Sequence, residues 1–313
     1  MNEEFAREVK EGLSAKPKYL SSKWFYDEIG DQLFVNIMNM PEYYLTDAEF
    51  EIFSEQTTEI VRALTEDVSK MALYELGAGD GTKTIELLKS MNSNEFVYHP
   101  IDISQNALDN LKVRLHNELP EIEAKPLQGE YFQVLDSLSV DNATNKVILF
   151  LGSNLGNMYD DVAKEFMGQL AQSMQSGDKL LLGLDKIKSV DVVLPAYNDK
   201  QGYTRDFNLN LLSRINKELD GDFDVASFQH VPKYDEESGI ASSALVSSKK
   251  QKVNIGKISK TFHFEEGEPI HTEISRKYDL QILDKVIEGS GLRIIREFND
   301  SRKYFMNVLL IKS

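Results

Sequence analysis

The sequence predicts an α/β protein: a mostly parallel sheet with an α+β segment inserted late in the chain. Three observations lead there. Short apolar runs at 71–76, 95–101, 147–151 and 179–184 alternate with stretches of helical spacing, the pattern of strands joined by crossover helices. The run Val147–Leu151 is apolar at every position, as expected of a strand covered on both faces. After Asp185 this rhythm gives way to period-two patches, and the chain then closes with one helix and two strands, Leu292–Phe298 and Tyr304–Ile311.

The first 45 residues are dense in aromatics and interrupted by Pro17 and Pro41, unlike the start of a simple α/β sheet. Thr46-Asp47-Ala48-Glu49 reads as a capping box. It opens a helix with Phe50, Phe53, Ile60, Val61 and Leu64 on one face. Met71–Leu76 is the first core strand; it ends in Gly77-Ala78-Gly79-Asp80-Gly81, and Ile85 and Leu88 mark the helix beyond. The strand Glu95–Ile101 ends at Asp102, and Ser104 is placed to cap a helix bearing Leu108, Leu111 and Leu115. Residues 126–132 form a short third segment at the next strand end. Val147–Leu151 empties into Gly152-Ser153-Asn154-Leu155-Gly156-Asn157, and the helix after it carries Val162, Phe166, Leu170 and Met174 before stopping near Gly177. Lys179–Leu184 is the fifth strand. In the insertion, Phe207, Leu211, Leu212, Ile215 and Leu219 mark a helix. Antiparallel strands follow over 224–276, with turns at Glu236–Gly239 and Glu265–Glu268 and alternation in Lys252–Ile258 and Lys260–Phe264. Leu280, Leu283, Val286 and Ile287 mark the last helix, stopped by Gly289-Ser290-Gly291.

Composition narrows the function classes. The chain has 313 residues, 35 basic against 51 acidic, for a formal net charge of −16. A surface this acidic repels phosphate backbones and anionic lipid, so neither nucleic acid nor a membrane is an expected partner. Zero cysteines exclude disulfides and a catalytic thiol, which agrees with a reducing cytoplasm. The N-terminus lacks the apolar centre of a secretory signal, and no run reaches membrane-spanning length. His99, His116, His230, His263 and His271 show no metal-ligand spacing, so no metal is expected. The expected form is a cytoplasmic monomer.

The glycine turn is where ligand chemistry is legible. Gly77 and Gly79 lack a Cβ, so a ligand can lie directly on the backbone, and the next helix aims its free N–H groups at the same place. Glu75 and Asp80 flank the turn with carboxylates, which suits a cationic, hydroxyl-bearing ligand better than a pyrophosphate. S-adenosylmethionine (SAM), with its sulfonium, ammonium and ribose, fits that description. The bare pattern also fits a tight structural turn. Asp102 stands at the neighbouring strand tip, where a doubly wound sheet places an acid on ribose hydroxyls; a helix cap is the other reading of the same residue.

Taken together, WFYDEIGDQLFVNI, PEYYLTDAE, YELGAGDGTKT, FLGSNLGN, AYND, FN and TEISRKY occur in this order. The chain thereby resembles the SAM-dependent L-histidine Nα-methyltransferases of ergothioneine biosynthesis, from about Lys16 to the C-terminus. That resemblance implies a Rossmann-like, seven-stranded class I SAM methyltransferase sheet carrying an inserted α+β substrate domain. Residues 46–187 and 277–313 would form the SAM-binding domain, and residues 1–45 and 188–276 the substrate-binding domain. It implies SAM contacts at Gly77, Gly79 and Lys83, ribose at Asp102, and adenine at Glu130 and Tyr131. The amino-acid site maps onto Tyr43, Asn157, Tyr197, Glu273 and Ser275, with Tyr26 and Gly152 beside the reacting amine; Tyr26, Asn157 and Gly152 form the catalytic group. The implied activity is Nα-methylation of L-histidine, up to three times, giving hercynine.

Chemistry agrees with that mapping. Methyl transfer from a sulfonium is an in-line displacement, so alignment is the protein's main task. Desolvation and a sulfonium neighbour lower the pKa of an α-amine, so no strong general base is required. Glu273 can accept from an imidazole N–H, a contact that discriminates strongly between side chains. One position departs from the family: Ser243 aligns with a bulky methionine that packs near the imidazole, which would enlarge the side-chain pocket. The competing expectations are Nα-methylation of another aromatic amino acid such as tryptophan, a SAM- or amino-acid-binding protein without turnover, and an NAD-dependent dehydrogenase. The last is disfavoured by the acidic glycine turn and the terminal strand pair.

Overall fold

The computed structural model describes residues 2–68, 70–130, 133–134 and 144–313. In chain order its strands are β1 (Lys18–Tyr19), β2 (Met71–Leu76), β3 (Phe96–Asp102), β4 (Leu127–Gln128), β5 (Asn145–Phe150), β6 (Lys179–Asp185), β7 (Phe228–Asp235), β8 (Ile240–Ser247), β9 (Gln251–Ile255), β10 (Lys260–Phe264), β11 (Pro269–Arg276), β12 (Leu292–Asn299) and β13 (Phe305–Lys312). The chain divides into two compact units, one of residues 1–44 and 188–275, the other of residues 45–187 and 276–313.

The second unit holds a seven-stranded sheet in the order β12-β13-β6-β5-β2-β3-β4. β4, β3, β2, β5 and β6 run parallel, and β13 enters antiparallel between β6 and β12. This is the Rossmann-like mixed sheet expected from the sequence. β2 is buried at all six positions and β6 at all seven, because helices cover both faces. One face packs Tyr74, Ile148, Phe166, Leu182 and Val308; the other packs Phe53, Leu73, Tyr98, Leu149 and Leu309. Strand order reverses at β2, with β3 on one side and β5 on the other. The crevice beyond their carboxyl ends is the usual ligand position in such sheets.

Several elements differ from expectation for local reasons. The helix read from a cap at Thr46 begins at Tyr44, and it is two helices, Tyr44–Glu55 and Thr57–Thr65, broken at Gln56. Thr46 is therefore inside a helix, and Phe50 lies on its exposed side. The helix Asp160–Gln172 buries Ala163, Phe166, Met167 and Leu170, a face rotated from the one read through Val162, which is exposed. Of the segment read over 126–132, the described residues 126–130 contribute the two residues of β4. Ser104 caps its helix as expected, its Oγ accepting the Ala107 N–H at 3.2 Å.

The first unit carries a four-stranded sheet, β1-β11-β8-β7, and the separate hairpin β9–β10. β9 stops at Ile255, where the sequence had suggested a strand to Ile258, because residues 256–258 turn as a 3-10 helix. The helix Tyr203–Leu219 packs Phe207, Leu211, Leu212, Ile215 and Leu219 against Leu245, Ile255, Phe264 and Ile270. A helix at Glu3–Ser14, absent from the sequence reading, adds Phe5, Val9 and Leu13 to the same core. Asn2 caps it, its Oδ1 accepting the Phe5 N–H at 3.1 Å. Among the described residues no helix is long and apolar enough to cross a membrane.

Candidate active site

In the Rossmann-like unit, the glycine turn leaves β2 with Gly77, Gly79 and Gly81 all at positive φ (72°, 54° and 68°). L-residues with a Cβ rarely adopt that region, so the turn depends on glycine. A Cβ built on Gly79 would have nothing within 4 Å, so this backbone faces open space where a ligand can approach. The turn is tied to the next strand: Gly77 and Ala78 donate N–H groups to the Ile101 carbonyl, at 2.8 and 3.0 Å. Gly79 N–H donates to Asp102 Oδ2 at 3.0 Å, and Ser104 N–H to Oδ1 at 2.9 Å. Each oxygen of Asp102 thus accepts one amide and retains lone pairs for a hydroxyl ligand. Gly129 N–H donates to the Asp102 carbonyl at 3.1 Å, which brings half-buried Glu130 to the same edge. Tyr131 lies outside the described residues.

The two acids flanking the turn have separate duties. Asp80 is exposed and stands just before the helix Thr82–Lys89, accepting the Thr82 N–H at 3.0 Å and its hydroxyl at 2.7 Å. Glu75 is buried and accepts the hydroxyls of Thr84 and Tyr98. Burial pushes its carboxyl up to about 7, against the opposing pull of those two hydrogen bonds and of Lys83. Glu75 therefore serves the interior, and Asp102 is the acid that borders the turn's ligand side.

Lys83, on the first turn of that helix, pairs with Glu49. Glu49 is fully buried and also accepts the Gly152 N–H, at 3.1 and 3.0 Å to its two oxygens. Gly152 (φ 72°) and Ser153 (φ 60°) then bend the chain from β5 into the 3-10 turn Asn154–Asn157. Asn157 is exposed at its end and does not cap the following helix, whose N-cap residue is Tyr159.

This loop is clamped from behind by the residues that follow Ser275. A Cβ on Gly156 would meet the Arg276 carbonyl at 2.6 Å. The Lys277 ammonium and Asp185 carboxylate, both fully buried, pair at 2.7 Å, and the Asp185 N–H donates to Ser153 Oγ at 3.0 Å. Gly77, Gly79, Lys83, Asp102, Glu130, Gly152 and Asn157 thus all lie at or just beyond the carboxyl ends of β2 to β5.

In the other unit, Tyr26 and Tyr43 both set their rings edge-on to Phe34, with centroids 5.5 and 6.5 Å away, and Tyr26 also meets Phe207 at 5.7 Å. Tyr26 is 41% exposed and Tyr43 half-buried. Tyr197 is buried at the end of a short 3-10 turn, its carbonyl accepting from the Thr204 hydroxyl at 3.1 Å. Glu273 and Ser275 are two apart on β11 and so share a strand face; Glu273 is half-buried and Ser275 buried.

Motif residues left without a role by the sequence reading form the support for these groups. Asp199, three residues before the N-cap Gly202, ties down the start of the helix Tyr203–Leu219, taking N–H bonds from Tyr203 at 2.8 Å and Thr204 at 2.9 Å, and the Thr204 hydroxyl at 2.6 Å. Burial works upward on its carboxyl, but these hydrogen bonds hold it below the usual range. Asn208 is buried, donates to the Thr204 carbonyl at 3.0 Å and accepts the Thr272 hydroxyl at 2.6 Å. Thr272 also reaches the Ser243 carbonyl at 3.1 Å, and Ser243 Oγ lies 3.0 Å from His230 Nε2. Ser243 thus shares the face of Thr272, opposite the one bearing Glu273. Burial drives His230 down to about 4, so its ring is neutral at physiological pH. Among the described residues no cluster of three or more metal-ligating side chains occurs.

Glu49 is the residue at this edge whose environment local sequence concealed, since it read as part of a capping box. The available signal was Gly183, inside the apolar strand KLLLGLD: a glycine there marks close approach by another group. Glu49 Oε1 would lie 2.2 Å from a Cβ at that position.

A family model described as histidine-specific methyltransferase, SAM-dependent, matches residues 5–312. The chain is 34% identical to the histidine N-alpha-methyltransferase of Mycobacterium tuberculosis over 296 residues, covering 94% of this chain and 90% of that protein. It is 28% identical to ergothioneine biosynthesis protein 1 of Neurospora crassa, covering 94% of this chain and 33% of the longer fungal protein. It is also 28% identical to the L-tryptophan methyltransferase trpM of Psilocybe serbica, covering 91% of this chain and 86% of that protein.

Proposed function

This chain belongs to the family of histidine-specific, SAM-dependent methyltransferases, and on that premise we propose that it methylates the α-nitrogen of L-histidine up to three times to give hercynine. The observation that carries the proposal is the match to the histidine-specific family along residues 5–312, which includes Glu273 and Ser275 on one face of β11. When bound, SAM supplies an electrophilic methyl group on a sulfonium.

The Rossmann-like unit is the proposed cofactor domain. Gly77 and Gly79 allow close approach to backbone, Asp102 accepts from ribose hydroxyls, Glu130 and Tyr131 border the adenine, and Lys83 lies at the cofactor's polar end. This assignment is supported by the open space over Gly79 and the lone pairs left on Asp102. The other unit is the proposed amino-acid domain. Tyr43 and Tyr197, together with Asn157, hold the α-carboxylate through neutral donors, which orients the amine without a competing cation. Glu273 accepts from the imidazole N–H and Ser275 contacts the other ring nitrogen. Tyr26 and Gly152 border the reacting amine. Each turnover requires an amine that has shed a proton, which a desolvated, cation-adjacent position favours.

A second reading, Nα-methylation of tryptophan or a related aromatic amino acid, is favoured by the resemblance to the Psilocybe enzyme; Ser243, facing His230 on the sheet side opposite Glu273, does not bear on it. Incubation with SAM and a pooled set of amino acids, followed by mass spectrometry, separates the two. Histidine is expected to gain one, two and three methyl groups. Gain on tryptophan with none on histidine would establish the second reading instead.

A further inference from the structure

Glu49 has no solvent exposure, yet the structure makes room for its charge. Its carboxylate lies against the bare Cα of Gly183, accepts the Gly152 N–H and pairs with the Lys83 ammonium. Burying a carboxylate costs several kcal/mol, and a well-packed apolar side chain would fill the same volume at least as stably. A spacer would need neither the acid nor the glycine in β6. What the acid adds is negative charge, delivered to Lys83, whose side chain is 24% exposed beside the glycine turn.

We propose that Glu49 is a positioning residue that neutralises Lys83, so that the cofactor site accepts a sulfonium; the proposal rests on the reading that SAM binds at this turn. SAM carries one positive charge more than its demethylated product, S-adenosylhomocysteine (SAH). A lone ammonium at the site would repel the substrate form of the cofactor and favour the product form. Paired with Glu49, Lys83 keeps its N–H donors for anionic or hydroxyl groups while its net charge is cancelled. Glu75 also interacts electrostatically with Lys83, but burial leaves it substantially protonated near neutral pH, so it cancels that charge only in part. Asp102 is engaged by the amides of Gly79 and Ser104. Glu49 is the acid in direct contact with Lys83.

The test is calorimetric binding of SAM and SAH to the full chain and to Glu49→Gln, Lys83→Met and the double variant. Glutamine retains a carbonyl for the Gly152 N–H but no charge. Glu49→Gln is expected to weaken SAM about tenfold and SAH less than about threefold, the size of one incompletely screened charge pair. In the Lys83→Met background the buried acid, without its cation, takes up a proton and glutamine mimics that neutral form, so the same substitution is expected to leave the SAM-to-SAH affinity ratio unchanged. Equal weakening of both ligands, no weakening, or the same shift of the ratio in both backgrounds would overturn the proposal. Glu49→Asp keeps the charge and is expected to preserve the wild-type ratio even where overall affinity or folding suffers; a ratio shifted toward SAH would count against the idea. Wild-type protein that binds neither ligand would refute the cofactor reading itself, and the proposal with it.

Discussion

Glu75→Gln should flatten the pH dependence of stability in the Rossmann-like unit. Glu75 lies beneath the glycine turn with a folded-state pKa raised from 4.5 to about 7, principally by burial. An acid with a raised folded pKa holds its proton more tightly in the folded chain. Its contribution to stability is therefore present at low pH and is lost as pH rises from about 4.5 through about 7. Over the full window that shift corresponds to about 3 kcal/mol. The accessible window is narrower, because the sequence pI of 4.8 argues for working above it. Between about pH 5.8 and about pH 8 the linkage integral comes to about 2 kcal/mol. Glutamine removes the titration. It can still accept from Thr84 or Tyr98, and the second lost acceptor costs about 1 kcal/mol at every pH. Urea denaturation of both proteins without cofactor should therefore show a stability difference that moves by about 2 kcal/mol in favour of the variant as pH rises across this window. Parallel profiles, with a constant offset, would mean that Glu75 is already ionised in the folded chain and that the burial argument is wrong.

Three further outcomes are expected. Lys277→Met removes the ammonium paired with the buried Asp185 carboxylate and should cost about 3–5 kcal/mol in denaturant titrations, while Lys277→Met combined with Asp185→Leu should recover most of it. Asp199→Ala removes the acceptor for the first two N–H groups of the helix Tyr203–Leu219 and should lower stability by about 1–2 kcal/mol in the same assay. Glu273→Ala should raise the KM for histidine at least about tenfold with little change in SAM affinity, the pattern of a lost charge-assisted contact to one substrate; equal loss for both ligands would contradict its proposed role.

The legible parts of the fold were those whose physics is local. β2, β5 and β6 announced themselves as apolar runs ending in glycine or acid, and Ser104 capped the helix it precedes. Misreadings came where the deciding partner is distant in sequence. Glu49 stands three residues after Thr46, so the pair satisfied the pattern of a cap. Its actual partners, Lys83, Gly152 and Gly183, are 34 or more positions away. Nothing local distinguishes these alternatives. The helix Glu3–Ser14 escaped notice because its stripe of Phe5, Val9 and Leu13 is sparse among charged residues. In the candidate site, Asp102 and the glycine turn were legible from strand-end chemistry, and the structure supplies the bond that joins them. Asp199, Asn208 and Thr272 lie within recognised motifs, yet the bond between Asn208 and Thr272 joins a helix to a strand more than sixty positions away.

That last chain of bonds bears on how genetic screens of this protein would be interpreted. Thr204, Asn208 and Thr272 are interior and mutually saturated, and the residue after Thr272 is the proposed imidazole partner. Replacing Asn208 would disturb two neighbours at once, so a survey scored only by product formation would rank it beside Glu273. Scoring abundance in parallel would tell them apart: the pedestal residues should lose protein, the ligand-facing ones only turnover.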